Sequence, residues 1–407
     1  MIAELIDAVV SEPVLVFGSL PPEGRDLDLL VRPAEEKALI TNLDRERFVR
    51  RGREWARFHA CTVDAVELVP AAAWKLSGQE LRTLFAEARP IHSYARLVRP
   101  APHHALLILA LRLARGDGRL DAKRRRRLEE ALAEEPDAWE GARGSARAWG
   151  AESALAALDQ VYRTGERPLR VRAREWRRRL TRRRRGRVVS FSGVDGSGKT
   201  SQALALVHTL ERLGYETVTE WTRLSYNPSL DVVAYPVKAL VGVVRRWPRG
   251  PGPSTEPDAD PGKEFRRRSA LVSHAWALIV AIANGSSQRR AARPHLRRGR
   301  VVLCDRYSLD SAVHLRYRYG EARRFRVQAL LVRLLSPRAV RSFFLDVPAQ
   351  TALARKAEQY DLDQLSGQVR LYREEHERLG IRRLDGERPR DELCAEIAAE
   401  VWLALPP

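Results

Sequence analysis

The run from Gly193 to Thr200, GVDGSGKT, is the feature that most restricts what this chain can fold into. It satisfies the pattern G-x-x-x-x-G-K-[ST], with an apolar strand pattern, VVSFS, before it and a helical pattern, TSQALALVHTL, after it. Glycines let the backbone curl so that its amides point at phosphate oxygens, and the N-terminus of the following helix adds a favourable dipole. The run therefore predicts a phosphate-binding loop in an α/β domain.

The same loop contains the side chains that a nucleoside triphosphate needs. Lys199 is expected to neutralise charge on the β- and γ-phosphates from an exposed position, and the Thr200 hydroxyl is expected to ligate Mg²⁺. ATP and Mg²⁺ are therefore the predicted cofactors. The residues predicted to surround the nucleotide phosphates are Gly193, Val194, Asp195, Gly196, Ser197, Gly198, Lys199, Thr200 and Ser201.

A second motif, VVLCDRY, runs from Val301 to Tyr307 and ends an apolar strand pattern with an acid. Ligands of open α/β sheets bind at the carboxyl ends of the strands, so Asp305 is placed where it can hold Mg²⁺ through water or orient an acceptor oxygen. Arg306 can bind a phosphate or carboxylate of the acceptor in a bidentate manner. A plain ion pair at the end of the strand is the alternative interpretation.

The rest of the chain divides into three stretches by pattern. Residues 1–70 mix short strand and helix signals, residues 71–186 read as a helical region followed by a basic linker, and residues 187–407 alternate strand and helix. This alternation predicts a parallel five-stranded sheet flanked by helices. Its predicted strands are Val188–Ser192, Thr217–Trp221, Val301–Asp305, Ser342–Asp346 and Ile381–Asp385, and those of the first stretch are Val14–Phe17, Leu27–Val31 and Thr62–Val69.

The net charge of +20 is unevenly distributed, because eleven arginines and one acid lie between Arg170 and Arg187. Such a run is typical either of a surface for phosphates, nucleic acid or anionic lipid, or of a solvated helix or linker. Only Trp176 offers an aromatic platform there, so we do not predict a nucleic-acid partner. The segment Trp247–Gly262 is rich in proline and glycine and is predicted to be a mobile surface loop.

Composition excludes several classes of protein. Hydrophobic residues make up 44% of the chain, too many for a mainly disordered protein, and three distant cysteines exclude a disulfide scaffold. No segment reaches the roughly 18 apolar residues of a membrane span. The N-terminal run MIAELIDAVV has acids and no basic residue before its apolar part, unlike a secretory signal. We therefore expect a soluble, cytoplasmic protein.

Residues 187–407 resemble the thymidylate kinase family of nucleoside monophosphate kinases. The resemblance rests on FSGVDGSGKTSQ at Phe191–Gln202, on the Asp305-Arg306-Tyr307 motif, and on the LDVP run at Leu345–Pro348 with an arginine, Arg355, in the next helix. It implies a sheet with strand order 2-3-1-4-5, and ATP- and Mg²⁺-dependent transfer of phosphate to a small-molecule acceptor. The resemblance is also compatible with a homodimer.

The resemblance also implies roles for single residues. Asp195 would face the acceptor near the transferred group, Asp305 and Arg306 would serve the acceptor and the metal, and Arg355 would contact the donor nucleotide. Together with Lys199, the first three form the predicted catalytic set.

Three departures from the family pattern concern the acceptor. Near Leu315 the chain lacks the glutamine that the family uses to bind the thymine edge. Trp276 stands about where the acceptor-side helix of the family has an arginine. The lid that follows Arg355 has only Lys356 as a further cation. A reshaped acceptor site is therefore predicted, for a nucleoside monophosphate or a similar small molecule. The alternatives are a kinase acting on a sugar, lipid-precursor or natural-product hydroxyl, and an ATP-binding regulatory protein that contacts a polyanion.

Residues 1–70 resemble the nucleotidyltransferase family through the Gly18-Ser19 pair and the DLD run at Asp26–Asp28. Alternation along a strand puts Asp26 and Asp28 on one side, where two carboxylates can share Mg²⁺. A later strand offers Asp64 and Glu67 as a third carboxylate, and Glu67 is preferred. A surface strand with solvated acids, a non-catalytic module and an active transferase in a small α+β domain all remain open.

His103 and His104 follow in a helical pattern. Adjacent residues on a helix point in different directions, so we expect two ordinary side chains and no metal site.

Overall fold

The computed structural model describes residues 2–18, 20, 26–70, 76–114, 120–165, 186–221, 270–320, 325–356 and 361–406. The predicted loop at 247–262 and the arginine run, apart from its last residue, lie outside these ranges. The chain divides into two compact units, residues 1–183 without 59–62, and residues 184–406. The first unit contains most of the predicted stretches 1–70 and 71–186, while residues 59–62 and 184–186 belong to the second unit.

The first unit combines short strands with helices. In chain order its elements are α1 (Ile2–Val9), β1 (Val14–Val16), β2 (Leu27–Val31), α2 (Pro33–Arg45), β3 (Val49–Arg51), β4 (Glu54–His59), β5 (Thr62–Pro70), α3 (Gly78–Ala86), β6 (Arg89–Pro90), β7 (Leu97–Arg99), α4 (Pro102–Ala114), α5 (Ala122–Glu134), α6 (Ala138–Ala146) and α7 (Glu152–Thr164).

These strands form a mixed sheet in the order β3-β4-β5-β2-β1-β7-β6. Strand β2 pairs parallel with β5 and antiparallel with β1, and β1 pairs parallel with β7. The sequence patterns predict only helices for the region of β6 and β7. They miss these strands because two or three residues are too short to show the alternation that marks a strand.

The sheet of the first unit has an apolar core on each face. Successive strand residues point to opposite faces, so Leu29 joins the core lined by α1 and α2, whereas Leu30 joins the core lined by α3 to α7. All five residues of β2 are buried. A strand buried on both faces in this way holds any polar side chain it carries in a fixed position.

The second unit alternates strands and helices. Its elements are β8 (Arg187–Ser192), α8 (Lys199–Arg212), β9 (Thr217–Trp221), α9 (Ala270–Arg297), β10 (Val301–Asp305), α10 (Ser308–Tyr319), α11 (Arg326–Leu335), β11 (Ala339–Asp346), α12 (Ala349–Arg355), α13 (Leu362–Leu379), β12 (Arg382–Asp385) and α14 (Arg390–Ala404).

The strands of the second unit form a five-stranded sheet in the order β9-β10-β8-β11-β12, and all the pairs are parallel. The predicted parallel sheet flanked by helices is thus confirmed. Strand β8 is central, and its Phe191 stacks on Phe343 of β11 at 5.7 Å between ring centroids. Asp305 of β10 lies in register with Phe191, so both strands end at the same edge of the sheet. Among the described helices, none combines the length and apolarity needed to cross a bilayer.

Candidate active site

The turn after β8 has a backbone shape that depends on glycine. Gly196 has φ +86°, and a Cβ atom there would lie 2.4 Å from the Ala352 carbonyl oxygen. Gly198, with φ +90°, caps helix α8, which begins at Lys199. The amides in the first turn of a helix have no partner within the helix, so the loop ends in a cluster of donors suited to phosphate oxygens.

Lys199 is buried rather than exposed as the sequence predicts, with 5% of the residue accessible. Its Nζ donates hydrogen bonds to the carbonyl oxygens of Gly193 at 2.9 Å and Val194 at 2.8 Å. Burial lowers the pKa of Lys199, while the nearby carboxylates of Asp310 and Asp305 act in the opposite direction. The ammonium group therefore closes the loop on itself and brings positive charge beside it.

Thr200 and Asp305, one residue from each motif, are in direct contact. The Thr200 hydroxyl donates a hydrogen bond of 2.7 Å to Oδ2 of Asp305. The other carboxylate oxygen, Oδ1, is shielded from solvent and has no hydrogen-bond partner among the described residues. Hydroxyl and carboxylate oxygens are the ligands that Mg²⁺ prefers, so this pair fits the predicted metal.

Arg306 directly follows Asp305 in the chain and binds Asp195 of the loop through its guanidinium group. Its backbone adopts φ +74°, an uncommon value for a residue with a side chain, and its amide donates to the Phe191 carbonyl at 3.1 Å. Burial lowers the pKa of Arg306, but Asp195, Tyr372 and Asp310 together outweigh this effect, so the pKa is raised. The structure thus brings together Asp195, Lys199, Asp305 and Arg306.

Arg355 ends helix α12 on the other side of the loop. Its guanidinium nitrogens lie 3.3 Å from the Gly386 carbonyl oxygen and 3.5 Å from that of Gly196. The arginine is therefore adjacent to the predicted phosphate-binding loop, while part of the lid predicted after it lies outside the described residues.

Asp310 is a central residue of this site that the sequence motifs do not predict. Its buried carboxylate accepts hydrogen bonds from the Ser192 hydroxyl at 2.6 Å, the Tyr307 amide at 2.8 Å and the Tyr372 hydroxyl at 2.7 Å. The Gly193 amide lies 3.4 Å away. Burial raises the pKa of Tyr372, and the neighbouring carboxylate raises it further. One side chain therefore connects the end of β8, the start of α10 and helix α13.

The signal that could have identified Asp310 is local. It is the third residue of α10 and binds the backbone of the residue before the helix, the position that acids favour at helix starts. The sequence does not show that the same carboxylate also reaches the phosphate loop and α13.

Leu315 and Trp276, which replace polar residues of the family pattern, belong to one apolar cluster. Leu315 is fully buried, and Trp276 packs against the cluster that contains it. His314 precedes Leu315 on α10, and burial lowers its pKa to about 4, with Arg318 and Arg306 acting in the same direction. Leu315 therefore offers no polar group to a thymine edge, and Trp276 offers no guanidinium group.

The carboxylates predicted in the first unit also come together. Asp28 and Glu67 are direct partners in the parallel pairing of β2 with β5, and one oxygen each of Asp26, Asp28 and Glu67 lie within 4.8 Å of one another. Asp64 instead forms an ion pair with Arg57 at 3.0 Å. Burial raises the pKa of Glu67 to about 7, and the negative charge of Asp28 adds to the shift.

Arg112 faces this group of carboxylates. Arg112 of α4 donates to Asp28 at 3.2 Å, and its guanidinium lies over the Phe17 ring at 5.6 Å. A Cβ atom at Gly18 would lie 2.9 Å from the Asp28 carboxylate, so the glycine permits this approach. Ser19, the second residue of the predicted Gly-Ser pair, lies outside the described residues.

At the carboxyl edge of the second unit's sheet, the glycine turn, the buried Lys199 and the Thr200–Asp305 pair have the arrangement expected of a P-loop. Comparison with known proteins points the same way. The chain is 28% identical to a thymidylate kinase of Herpetosiphon aurantiacus over 190 residues, which are 45% of this chain and 66% of that protein. It is 26% identical to a thymidylate kinase of Dinoroseobacter shibae over 234 residues, 54% of this chain and 98% of the relative.

A probable thymidylate kinase of Pyrococcus horikoshii is 28% identical over 181 residues, 42% of this chain and 70% of that protein. No protein-family model matches the chain. About half of the chain is therefore similar to thymidylate kinases, which supports the family resemblance of the motifs.

We expect Asp310→Asn to lower the free energy of unfolding by about 1–3 kcal/mol for each buried donor left without an acceptor, because an amide nitrogen cannot accept a hydrogen bond. Urea unfolding of the full chain, followed by circular dichroism, measures this change. Tyr372→Phe is the matched control: it removes one donor and keeps the carboxylate, so about 1 kcal/mol is expected. Equal losses in the two variants would contradict the central role of Asp310.

Proposed function

We propose that the second unit is an ATP- and Mg²⁺-dependent kinase of the thymidylate kinase family, which transfers the γ-phosphoryl group of ATP to a nucleoside monophosphate or a related small molecule. The observation that carries the proposal is the Thr200–Asp305 pair. One oxygen of this carboxylate binds the hydroxyl that follows the loop lysine, and the other is buried without a partner. A buried, half-satisfied carboxylate at this place is costly unless a cation completes it.

The donor phosphates would bind to the loop amides and to the charge of Lys199. Mg²⁺, when bound, neutralises charge on the β- and γ-phosphates. Thr200 and Asp305 would hold it at the edge of the sheet. Phosphoryl transfer needs little covalent chemistry from the protein, so most of the rate enhancement would come from positioning and charge neutralisation.

Arg306 would hold the acceptor. The ion pair with Asp195 and the bond from its own amide to Phe191 fix both ends of the residue next to the loop. A guanidinium group restrained in this way binds a phosphate or carboxylate with little loss of side-chain entropy. A nucleoside monophosphate meets this requirement through its phosphate group.

The acceptor is proposed to differ from thymidylate. Leu315 and Trp276 take the places of the polar residues expected by resemblance, and both belong to an apolar cluster. A site without a partner for a polar base edge discriminates by several kcal/mol against a base that requires one.

Loss of the loop charge should abolish turnover. We expect Lys199→Met, which keeps most of the buried methylene stem, to lower ADP release by at least roughly a hundredfold, in keeping with the loss of a group that stabilises the transferred charge. The measurement is ADP release by the full chain with ATP, Mg²⁺ and a panel of nucleoside monophosphates, nucleosides and sugars. Lys37→Met, at an exposed lysine of the first unit, is the control.

Near wild-type turnover by Lys199→Met would refute the kinase assignment of this loop. Turnover that requires a nucleoside or a sugar instead of a nucleoside monophosphate would identify a hydroxyl acceptor. ATP binding without turnover on any acceptor would favour the regulatory alternative.

Thymidylate should be a poor acceptor in the same assay. We expect its kcat/KM to stay well below the roughly 10⁵ M⁻¹s⁻¹ that good enzymes reach. The apolar packing of Leu315 and Trp276 is the reason. A value at or above that level would show that the pocket binds thymine by other groups.

We further propose that Asp26, Asp28 and Glu67 bind a divalent cation in a nucleotidyltransferase-like module. Support comes from the strand register that sets Asp28 beside Glu67, and from the raised pKa of Glu67, which is caused first by burial and then by repulsion from Asp28. A cation would relieve that repulsion. The ion pair between Arg112 and Asp28 offsets part of it in the protein alone.

We expect Glu67→Gln to weaken Mn²⁺ binding at least tenfold, because one of three carboxylate ligands is lost, a change of about 1.4 kcal/mol or more. Isothermal titration of the full chain with MnCl₂ in the absence of nucleotide measures it. Asp64→Asn is the control, since Asp64 lies on the same strand but pairs with Arg57. Similar affinities for Mn²⁺ in Glu67→Gln and wild type would argue against the site.

A further inference from the structure

A second group of potential metal ligands lies in the first unit, away from the three carboxylates. It consists of Glu87, His103 and His104, whose ligand atoms lie within 4.8 Å of one another. Glu87 directly follows α3, and the two histidines are in the first turn of α4. The two rings lie close together, with centroids 4.2 Å apart, although adjacent helical residues are expected to diverge. Both turn a nitrogen toward Glu87 because that residue lies beside the start of α4.

The distances suit a small divalent ion. Oε2 of Glu87 lies 3.0 Å from Nε2 of His103 and 3.7 Å from Nδ1 of His104. Ligand atoms bound tetrahedrally at about 2.0 Å from zinc are roughly 3.3 Å apart, a value between these two distances. Small side-chain rotations therefore suffice to place one ion between the three groups.

His104 gives the strongest indication of a missing partner. It is 1% exposed, and its Nδ1 atom has no hydrogen-bond partner among the described residues. The ring stacks on Trp149 at 5.3 Å, which holds its orientation. A neutral imidazole with the proton on Nε2 offers a lone pair at Nδ1.

The surroundings of His103 match those of a metal-bound histidine. While Nε2 faces Glu87, Nδ1 lies 3.1 Å from Glu135, and Glu135 is itself bound by Arg89 at 2.7 Å. Histidine ligands usually donate their second ring N–H to a carboxylate, which fixes the ring and raises the basicity of the ligating nitrogen. Gly141 allows the close packing of α6, since a Cβ atom there would lie 3.1 Å from Cβ of His103.

Helix dipoles add a reason for a cation at this place. Glu87 and Glu135 stand at the C-terminal ends of α3 and α5, where carboxylates are disfavoured. Arg89 is shared between Glu135 and Glu134 and does not bind Glu87. A metal ion bound to Glu87 would place positive charge beside a helix C-terminus, where it is favoured.

We propose that Glu87, His103 and His104 bind a zinc-type divalent ion, with Glu135 orienting His103 from outside the ligand set. Two imidazoles and one carboxylate provide three of the four positions of a tetrahedral zinc site. Glu87 is 46% exposed along its side chain, so the fourth position can take a water molecule, and the ion has a path from solvent. Magnesium is not expected here, because it prefers oxygen ligands.

The test is zinc titration of the full chain after removal of metals with a chelator, in millimolar Mg²⁺ and in the Glu67→Gln background, which together suppress the carboxylate site. We expect one zinc ion per chain, and binding weakened at least about tenfold in Glu87→Gln and in Glu135→Gln. Glu134→Gln is the matched control, since Glu134 adjoins Glu135 but pairs with Arg89 and Arg99. Unchanged zinc affinity in Glu87→Gln, or an equal loss in Glu134→Gln, would overturn the proposal.

Cobalt provides a second measurement that needs no ligand variant. Co²⁺ bound to the same protein should give the strong visible absorption of a tetrahedral nitrogen and oxygen site, and zinc should displace it. A weak octahedral spectrum, or a near-ultraviolet band from thiolate ligands, would show that the ion binds elsewhere and would refute the site. If His103 merely bridges the two glutamates as a structural contact, neither zinc nor cobalt will bind with this stoichiometry.

Discussion

The buried carboxylate of Asp310 is the contact on which the arrangement of the second unit's site depends. An ionised group in an apolar interior costs several kcal/mol unless hydrogen bonds surround it, and Asp310 receives them from Ser192, Tyr307 and Tyr372. Those donors belong to a central strand, a helix start and a packed helix. None of the three segments can shift without leaving a charge unsatisfied, so the turn after β8 is held in place before any ligand arrives.

Near Asp310, cationic and anionic side chains lie close together, but not all of their polar atoms have hydrogen-bond partners among the described residues. Lys199 donates hydrogen bonds to two loop carbonyls, and Arg306 donates one to Asp195. One oxygen of Asp305 accepts none from the described residues. Charges fixed in this way need little reorganisation when a polyanion binds. The site therefore already has the electrostatic form suited to a metal-bound triphosphate.

The sequence predicts the second unit well because its signals are local. The glycine turn, the strand that precedes it and the acid at the end of β10 each occupy a few consecutive residues, and the parallel sheet follows from alternating strands and helices. Burial of Lys199, the links of Asp310 and the convergence of His103 and His104 on Glu87 involve segments distant in sequence. No periodicity encodes them. Strands β6 and β7 escape prediction for another reason, because pairing with neighbouring strands, rather than their own pattern, makes them strands.

The apolar cluster around Leu315 limits how the acceptor preference of such a domain can change. Leu315 is fully buried in an apolar cluster of α9, α10 and α11, so a glutamine placed there would have to bury its amide among hydrophobic side chains. A single substitution would thus reduce stability without giving a usable contact to a base. Return to thymine recognition would need several coordinated changes, including one at Trp276. Under the proposed function, a single point mutation does not easily change the acceptor preference of this domain back to thymidylate.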